Sequence, residues 1–113
     1  MRAPLTLPLT GIRIVEFEGI GPGPLAGRML ADMGADVTVI ARPQQGAVAA
    51  QLGGSGDQPL RRGKTVVLLN LKEEAARAQA LALVAQADAL IEGNRPGVME
   101  RLGLGPGDCA AVN

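Results

Sequence analysis

Residues 12–34, with the sequence IRIVEFEGIGPGPLAGRMLADMG, decide the fold. The first six residues are rich in β-branched side chains and alternate in polarity, which predicts a strand over 12–17. Glycines and prolines over 19–24 predict a turn, and the apolar residues of 25–33 recur at helical spacing. Gly34 stands where a C-terminal glycine ends a helix. The stretch therefore predicts one strand–turn–helix unit.

The rest of the chain repeats this alternation of strand and helix. Strands are predicted over 37–40, 65–69 and 89–92, and an alanine-rich helix is predicted over 72–87. Asn70 is followed three residues later by Glu73, which is the spacing of a capping box at the start of that helix. Apolar strands separated by helices are typical of a parallel sheet covered on both faces. We therefore expect an α/β fold with right-handed crossovers.

Length and composition limit the classes of function. At 113 residues the chain amounts to one domain at most. Lys plus Arg equals Asp plus Glu at 11 each, so no net field attracts the chain to nucleic acid or to an anionic membrane. Phe17 is the only aromatic residue, and no apolar run reaches the ~20 residues of a membrane span. We expect a cytoplasmic protein with no nucleic-acid or membrane partner.

Side chains for catalysis or metal binding are scarce. Cys109 is the only cysteine and there is no histidine, so an intrachain disulfide is excluded and the commonest base and metal ligand is missing. Glu16 and Glu18 flank the end of the first strand, where they could face a cleft, and Glu16 is equally consistent with a surface residue of that strand end. We expect no catalytic residue, no metal site and no prosthetic group in this chain.

The glycine-rich turn raises the possibility of dinucleotide binding, in which a pyrophosphate lies at a helix N-terminus. The spacing G-x-G-x-x-G fails, because Pro24 occupies the position of the third glycine. Arg42, rather than an acid, follows the second strand, and an arginine there suits a phosphate on the ribose. NADP and coenzyme A both carry such a phosphate, and Arg42 alone does not decide between them.

Basic residues lie at or near the ends of the predicted strands, with Arg95 and Arg101 around the fourth. Ligands of a doubly wound sheet gather at the carboxyl ends of its strands, and Arg42, Lys72 and Arg95 should project from that edge. Three further basic residues precede the third strand and should form a solvated loop at or near the opposite edge: Arg61, Arg62 and Lys64.

Several segments, in this order and spacing, resemble a known family. They are 19–24, 30–37, 62–64, 70–72, 90–98 and 101–105. Together they resemble the start of the α-methylacyl-CoA racemases and of the related family III CoA-transferases, over nearly the whole chain. The resemblance implies that residues 1–113 are the N-terminal part of a Rossmann-like CoA-binding domain, an incomplete domain with a long loop over 44–59.

The resemblance also implies a site for the coenzyme A moiety of an acyl-CoA. In that site Arg42 meets the phosphorylated ribose, 69–72 lies along the adenine and phosphates, and Ile20 lines the path toward the acyl group. The implied binding residues are Ile20, Arg42, Leu69, Asn70, Leu71, Lys72, Gly93, Asn94, Arg95 and Arg101. The implied partners are acyl-CoA, the missing C-terminal portion or a partner chain, and a second subunit in a homodimer of the complete enzyme.

The family's chemistry needs groups from later in the chain. By resemblance, a racemase removes and returns an α-proton through an enolate with a His and an Asp, whereas a transferase uses an Asp nucleophile. Asn70 stands where the family usually has Asp, and Asn94 where racemases often have Tyr. We expect a segment of a 2-methylacyl-CoA racemase-like enzyme that is inactive alone. The alternatives are a transferase segment, a noncatalytic CoA-binding or assembly module, and an NADP-binding half-domain.

Overall fold

The computed structural model describes residues 6–43 and 59–113, and strands alternate with helices through both ranges. The elements are β1 (Arg13–Phe17), α1 (Pro22–Asp32), β2 (Asp36–Ala41), a 3-10 turn (Pro59–Arg61), β3 (Thr65–Leu68), α2 (Glu74–Ala85), β4 (Ala89–Ile91), α3 (Val98–Arg101) and α4 (Pro106–Val112). The loop predicted over 44–59 lies outside the described residues except for its last position. Within the described ranges, no helix has the length and apolar character needed to cross a membrane.

The strands form one parallel sheet in the order β3-β2-β1-β4. The central strand β1 pairs with β2 on one side and with β4 on the other, so that Ile14 lies opposite Val37 and Ala89. Because all strands run the same way, their carboxyl ends meet at one edge. The predicted α/β parallel sheet is confirmed.

Helices cover both faces of this sheet, as predicted. On one face Val15, Phe17 and Ile40 pack with α2, whose buried residues Ala76, Ala80 and Val84 recur every four positions, and with Met99 and Leu104. On the other face a smaller cluster joins the sheet to α1 and the residues that follow it. Its members are Ile14, Ala35 and Val37, with Leu9, Leu30, Ala31 and Ile91 packed around them. Alternate side chains of β1 therefore enter two different cores.

Glycines bound α1 at both ends. Gly21 is the N-cap residue with φ 82°, and a proline follows it in the first turn, where its missing N–H costs nothing. The helix ends at Asp32, and Gly34 adopts φ 104°, a conformation that residues with a Cβ rarely adopt. The predicted terminal glycine is confirmed, and the helix begins three residues earlier than the apolar spacing indicated.

The capping box predicted at Asn70 is wrong. The helix begins at Glu74, and Glu73 is its N-cap residue without a side-chain cap. Asn70 instead folds over its own turn, because its Oδ1 accepts a hydrogen bond from Lys72 N at 3.2 Å and its carbonyl accepts one from Glu73 N at 2.9 Å. A short amide side chain that bonds two residues ahead favours a turn over a helix.

Candidate functional site

An open groove of about 340 Å³ runs along the carboxyl edge of the sheet. Its lining residues lie at the ends of β1 and β2, follow one of the four strands, or belong to α3 and the residue after it. They are Phe17, Glu18, Ile40, Ala41, Arg42, Asn70, Leu71, Lys72, Asn94, Val98, Arg101 and Leu102. The volume falls within the ~300–1,000 Å³ of small-molecule sites, and an apolar floor with a few polar groups is typical of them.

Three cations line this groove. Arg42 follows β2, Lys72 follows β3, and Arg101 ends α3, so each comes from a different part of the chain. The expectation that Arg42 and Lys72 project from the carboxyl edge agrees with this arrangement. The combination of cations with an apolar floor can bind a ligand that carries both phosphates and apolar groups.

The other predicted binding residues fall into two groups. Asn70, Leu71 and Asn94 line the groove together with the cations. Four others do not line it: Ile20, Leu69, Gly93 and Arg95. Leu69 is buried in the core, and Ile20 is 94% exposed on the turn after β1. Gly93 and Arg95 are exposed in the loop after β4.

The loop that carries Asn94 is held by its own neighbours. Asn94 N donates to Glu92 Oε2 at 2.8 Å, and Asn94 Nδ2 lies 3.3 Å from Met99 Sδ. A second local contact joins Val98 N to the carbonyl of Arg95 at 3.1 Å. These contacts fix the path of the chain from β4 to α3 along the rim of the groove.

Arg77 supports the groove from outside its lining. Its Nη1 donates to the carbonyls of Leu71 and Lys72 at 3.1 and 3.0 Å. Sequence reasoning missed this residue. The sequence did contain one indication of its role, which is a positive charge near the N-terminus of a helix. The helix dipole disfavours a cation there unless another contact compensates.

Glu18 joins two arginines at the same edge. Its Oε1 accepts hydrogen bonds from Arg42 N at 2.7 Å and from Arg42 Nε at 3.2 Å, and its Oε2 lies 3.4 Å from Arg61 Nη2. The prediction that Arg61 lies at or near the opposite edge in a solvated loop is therefore wrong. The 3-10 turn that contains Arg61 packs against α1, and the Arg61 side chain reaches Glu18 at the carboxyl edge.

Lys64 and Glu16 are also placed differently from the prediction. Lys64 Nζ donates to Glu16 Oε1 at 2.7 Å and to the carbonyl of Pro24 at 2.9 Å, and both charged side chains are buried beneath α1. The expectation of a solvated Lys64 is wrong, and Glu16 lies neither at the surface nor in the groove, whereas Arg62 is exposed as expected. Burial raises the pKa of Glu16, and the hydrogen bond from Lys64 opposes that rise.

Gly27 is the residue in the sequence that could have indicated this buried ion pair. A Cβ at Gly27 would overlap Glu16 Oε1 and would lie 2.9 Å from Lys64 Nζ. The helix therefore leaves room for two charged side chains at the point where it crosses β1. The pair lies on the α1 face of the sheet, whereas the groove has a floor of side chains from the α2 face, such as Phe17 and Ile40.

The described residues hold no group of three or more Cys, Asp or Glu side chains that could bind a metal ion. Glu18 is the carboxylate that lines the groove, and two arginines already bind it. What these residues offer chemically is recognition of an anionic ligand with apolar parts.

Comparisons with known proteins show the family of the chain. The sequence profile of CoA-transferase family III matches residues 9–113. The chain is 41% identical over 115 residues to a probable fatty acyl-CoA transferase, Rv3272, of Mycobacterium tuberculosis, which covers 94% of this chain and 29% of that protein. It is 42% identical over 98 residues to the mouse α-methylacyl-CoA racemase, covering 87% of this chain and 23% of the racemase.

Solved structures give the same result for the fold. A crystal structure of Rv3272 superposes with a TM-score of 0.83 at 41% identity, over 95% of this chain and 30% of that one. A CaiB/BaiF family protein from Brucella suis gives a TM-score of 0.82 at 30% identity, over 96% of this chain and 32% of that one.

The fold and the match place the chain among α/β proteins with a Rossmann-like parallel sheet. The chain belongs to CoA-transferase family III and corresponds to its N-terminal portion. It spans less than a third of the length of the relatives named above. The four-stranded sheet is accordingly a partial domain relative to those proteins.

Proposed function

We propose that the groove at the carboxyl edge binds the coenzyme A moiety of an acyl-CoA. The observation that carries this proposal is the convergence of Arg42, Lys72 and Arg101 around an apolar floor. Coenzyme A combines a ribose phosphate and a diphosphate with an adenine and a long pantetheine arm, so it needs both kinds of surface. The names of the relatives, an acyl-CoA transferase and an α-methylacyl-CoA racemase, support the same ligand.

Each predicted residue contacts a particular portion of coenzyme A in this site. Arg42 grips the phosphate on the ribose, because a guanidinium can bind a phosphate bidentately. The 69–72 segment follows the adenine and diphosphate, with Lys72 as its point charge. Arg101, with Gly93, Asn94 and Arg95 in the loop before it, completes the site. Ile20, an exposed apolar side chain on the turn after β1, borders the path of the acyl group.

Calorimetry of the chain with acetyl-CoA and with NADPH tests this assignment. We expect acetyl-CoA to bind more tightly, and we expect Arg42→Ala, Lys72→Ala and Arg101→Ala each to weaken it by about tenfold. Arg13→Ala is the matched control, because the Arg13 side chain is exposed at the opposite end of β1. Tighter binding of NADPH than of acetyl-CoA would favour the NADP-binding half-domain. Equal weakening of acetyl-CoA binding by Arg13→Ala would indicate a nonspecific effect of charge.

For the complete protein we propose a 2-methylacyl-CoA racemase-like reaction. An α-proton is removed and returned through an enolate, and the base, the acid and the donors to the enolate oxygen come from segments outside this chain. The chain has no histidine, and Glu16 is buried in an ion pair on the other face of the sheet. We therefore expect the chain alone to incorporate no deuterium from D₂O into 2-methylacyl-CoA.

A longer polypeptide with the remaining family segments separates the two enzymatic alternatives. Exchange of the α-proton for deuterium, with loss of stereochemistry, would support the racemase. Transfer of CoA to a free carboxylic acid without α-exchange would support the transferase, in which an Asp carboxylate is the nucleophile.

A noncatalytic CoA-binding or assembly module is the second candidate. It is favoured by the exposed apolar residues Leu25, Met29 and Met33, which recur every four positions along α1 and its C-cap residue. In the complete protein we propose that the C-terminal portion or a second subunit of a homodimer covers this stripe. Light scattering tests it: Met29→Lys should reduce self-association of the chain, and a monomeric wild-type chain would count against an exposed assembly surface.

A further inference from the structure

Glu18 and Arg42 occupy equivalent places on neighbouring strands. Glu18 is the first residue after β1 and Arg42 the first after β2. Glu18 N donates to the carbonyl of Ile40 at 2.9 Å, which continues the ladder between the strands beyond the last residue of β1. Arg42 N in turn donates to Glu18 Oε1 at 2.7 Å. The backbones of both residues are therefore fixed relative to each other at the carboxyl edge that lines the groove.

The same carboxylate oxygen also holds the Arg42 side chain. Arg42 Nε lies 3.2 Å from Glu18 Oε1, although the Arg42 side chain is 79% exposed and that of Glu18 is 19% exposed. An exposed arginine ordinarily loses much rotamer freedom when it binds a ligand. An anchor at Nε removes part of that freedom in advance. The Nη1–Nη2 edge is the part of the guanidinium that can then grip a phosphate bidentately.

A carboxylate beside a phosphate site would repel the phosphate, and Arg61 offsets this negative charge. Glu18 Oε2 lies 3.4 Å from Arg61 Nη2, and Arg61 is itself partly buried and does not line the groove. Two guanidinium groups around one carboxylate leave a net positive charge at this point of the edge. Phosphate is therefore still attracted, while the carboxylate fixes the direction in which Arg42 points.

We propose that Glu18 is a positioning residue that presents the Arg42 guanidinium to the 3′-phosphate of coenzyme A. The inference rests on the proposed CoA site and extends it to a residue outside the predicted binding set. If Glu18 merely contributed negative charge, its removal would strengthen phosphate binding. If Glu18 positions Arg42, its removal weakens recognition of the 3′-phosphate alone. The two roles predict changes of opposite sign.

Coenzyme A and 3′-dephospho-CoA, which lacks only that phosphate, test the proposal by calorimetry of the full chain at one fixed salt concentration. For the wild type we expect a preference for coenzyme A of roughly tenfold. Glu18→Gln and Glu18→Ala should reduce the preference by about fivefold, with unchanged affinity for 3′-dephospho-CoA. Asp32→Asn is the matched control, because it removes the same charge from an exposed pair with Arg28 on α1.

A second measurement needs no ligand. In an NMR spectrum of the free chain, the Arg42 Nε–H signal should exchange slowly with solvent in the wild type and quickly in Glu18→Ala. A Glu18 variant that keeps or increases the preference for coenzyme A, or an unchanged Nε–H signal, overturns the positioning role. A wild-type chain without any preference for coenzyme A overturns the 3′-phosphate assignment of Arg42 itself, whatever the Nε–H signal shows.

Discussion

Lys64 Nζ and Glu16 Oε1 lie 2.7 Å apart beneath α1, and the two side chains are 0% and 2% exposed. Glu16 lies within the central strand β1, and Lys64 is the residue before the edge strand β3. The pair therefore joins β1 to the segment that leads into β3. A second contact, from Lys64 Nζ to the carbonyl of Pro24, adds the first turn of α1. Removing one member of such a pair leaves an uncompensated buried charge, whereas replacing both with apolar residues does not.

Lys64→Met should therefore lower the free energy of unfolding by about 3–5 kcal/mol. The double variant Glu16→Met/Lys64→Met should regain most of that loss, because no charge remains buried and methionine adapts to irregular spaces. Urea denaturation of the two variants and the wild type measures the difference. Lys72→Met makes the same substitution at an exposed site and should change stability little. A Lys64→Met chain as stable as the wild type would show that the pair contributes nothing.

The stability loss in Lys64→Met should also depend on pH. Burial raises the pKa of Glu16 above its value in the unfolded chain, and the hydrogen bond and charge of Lys64 limit the rise. Between the unfolded and folded pKa values, the folded chain binds the extra proton, so the free energy of unfolding falls as pH increases through that window. Without Lys64 the folded pKa moves higher and the window widens.

Urea denaturation at about pH 5 and about pH 8 measures the direction in which the stability loss of Lys64→Met changes with pH. We expect Lys64→Met to be destabilised more at the higher pH, where Glu16 must be buried as a carboxylate or take up a proton at a cost. Lys72→Met, measured at both pH values, corrects for the general change in charge. An equal loss at both pH values would exclude Glu16 as the titrating group.

The sequence predicted those features that depend on local pattern and on the topology of parallel sheets. Alternation of strands and helices was enough for the α/β fold. The rule that ligands gather at carboxyl strand ends was enough to bring Arg42 and Lys72 to one groove. Arg95 and Arg101 were noted in the same way as basic residues around the fourth strand, and of these two Arg101 lines the groove.

The errors concern contacts between distant segments. Glu16 shares a face of β1 with Ile14, but a carboxylate there indicates a solvated position unless its partner is known, and that partner is 48 residues away. Arg61 was misplaced because its sequence position before β3 does not reveal that its turn packs on α1.

Gly27→Ala should destabilise the chain although alanine is the better helix former. A Cβ at this position would overlap Glu16 Oε1 and approach Lys64 Nζ to 2.9 Å, so the helix or the ion pair must shift. The better helix propensity of alanine should stabilise the folded chain by about 1 kcal/mol, and the cost of this overlap should exceed that gain. Gly107→Ala in α4, where a Cβ would meet nothing within 4 Å, should show the gain instead. Equal thermal stabilities of the two variants would contradict the tight fit at Gly27.

Arg77 should matter for CoA binding although it does not line the groove. Its Nη1 holds the carbonyls of Leu71 and Lys72, whose side chains form one wall. Arg77→Met should lower the free energy of unfolding by about 1–2 kcal/mol and weaken CoA binding several-fold, because the turn loses both hydrogen bonds from the Arg77 side chain. Calorimetry and urea denaturation measure the two effects separately.

Arg77→Lys separates the geometry of Arg77 from its charge. Lysine keeps the positive charge but lacks the planar group that reaches two carbonyls, so it should restore affinity only in part. Arg28→Met is the matched control, because Arg28 lies on the opposite face of the sheet in a loose pair with Asp32 at 3.9 Å. Full recovery of CoA affinity in Arg77→Lys would assign the effect to charge alone, and an Arg77→Met chain with wild-type affinity would remove Arg77 from the support of the groove.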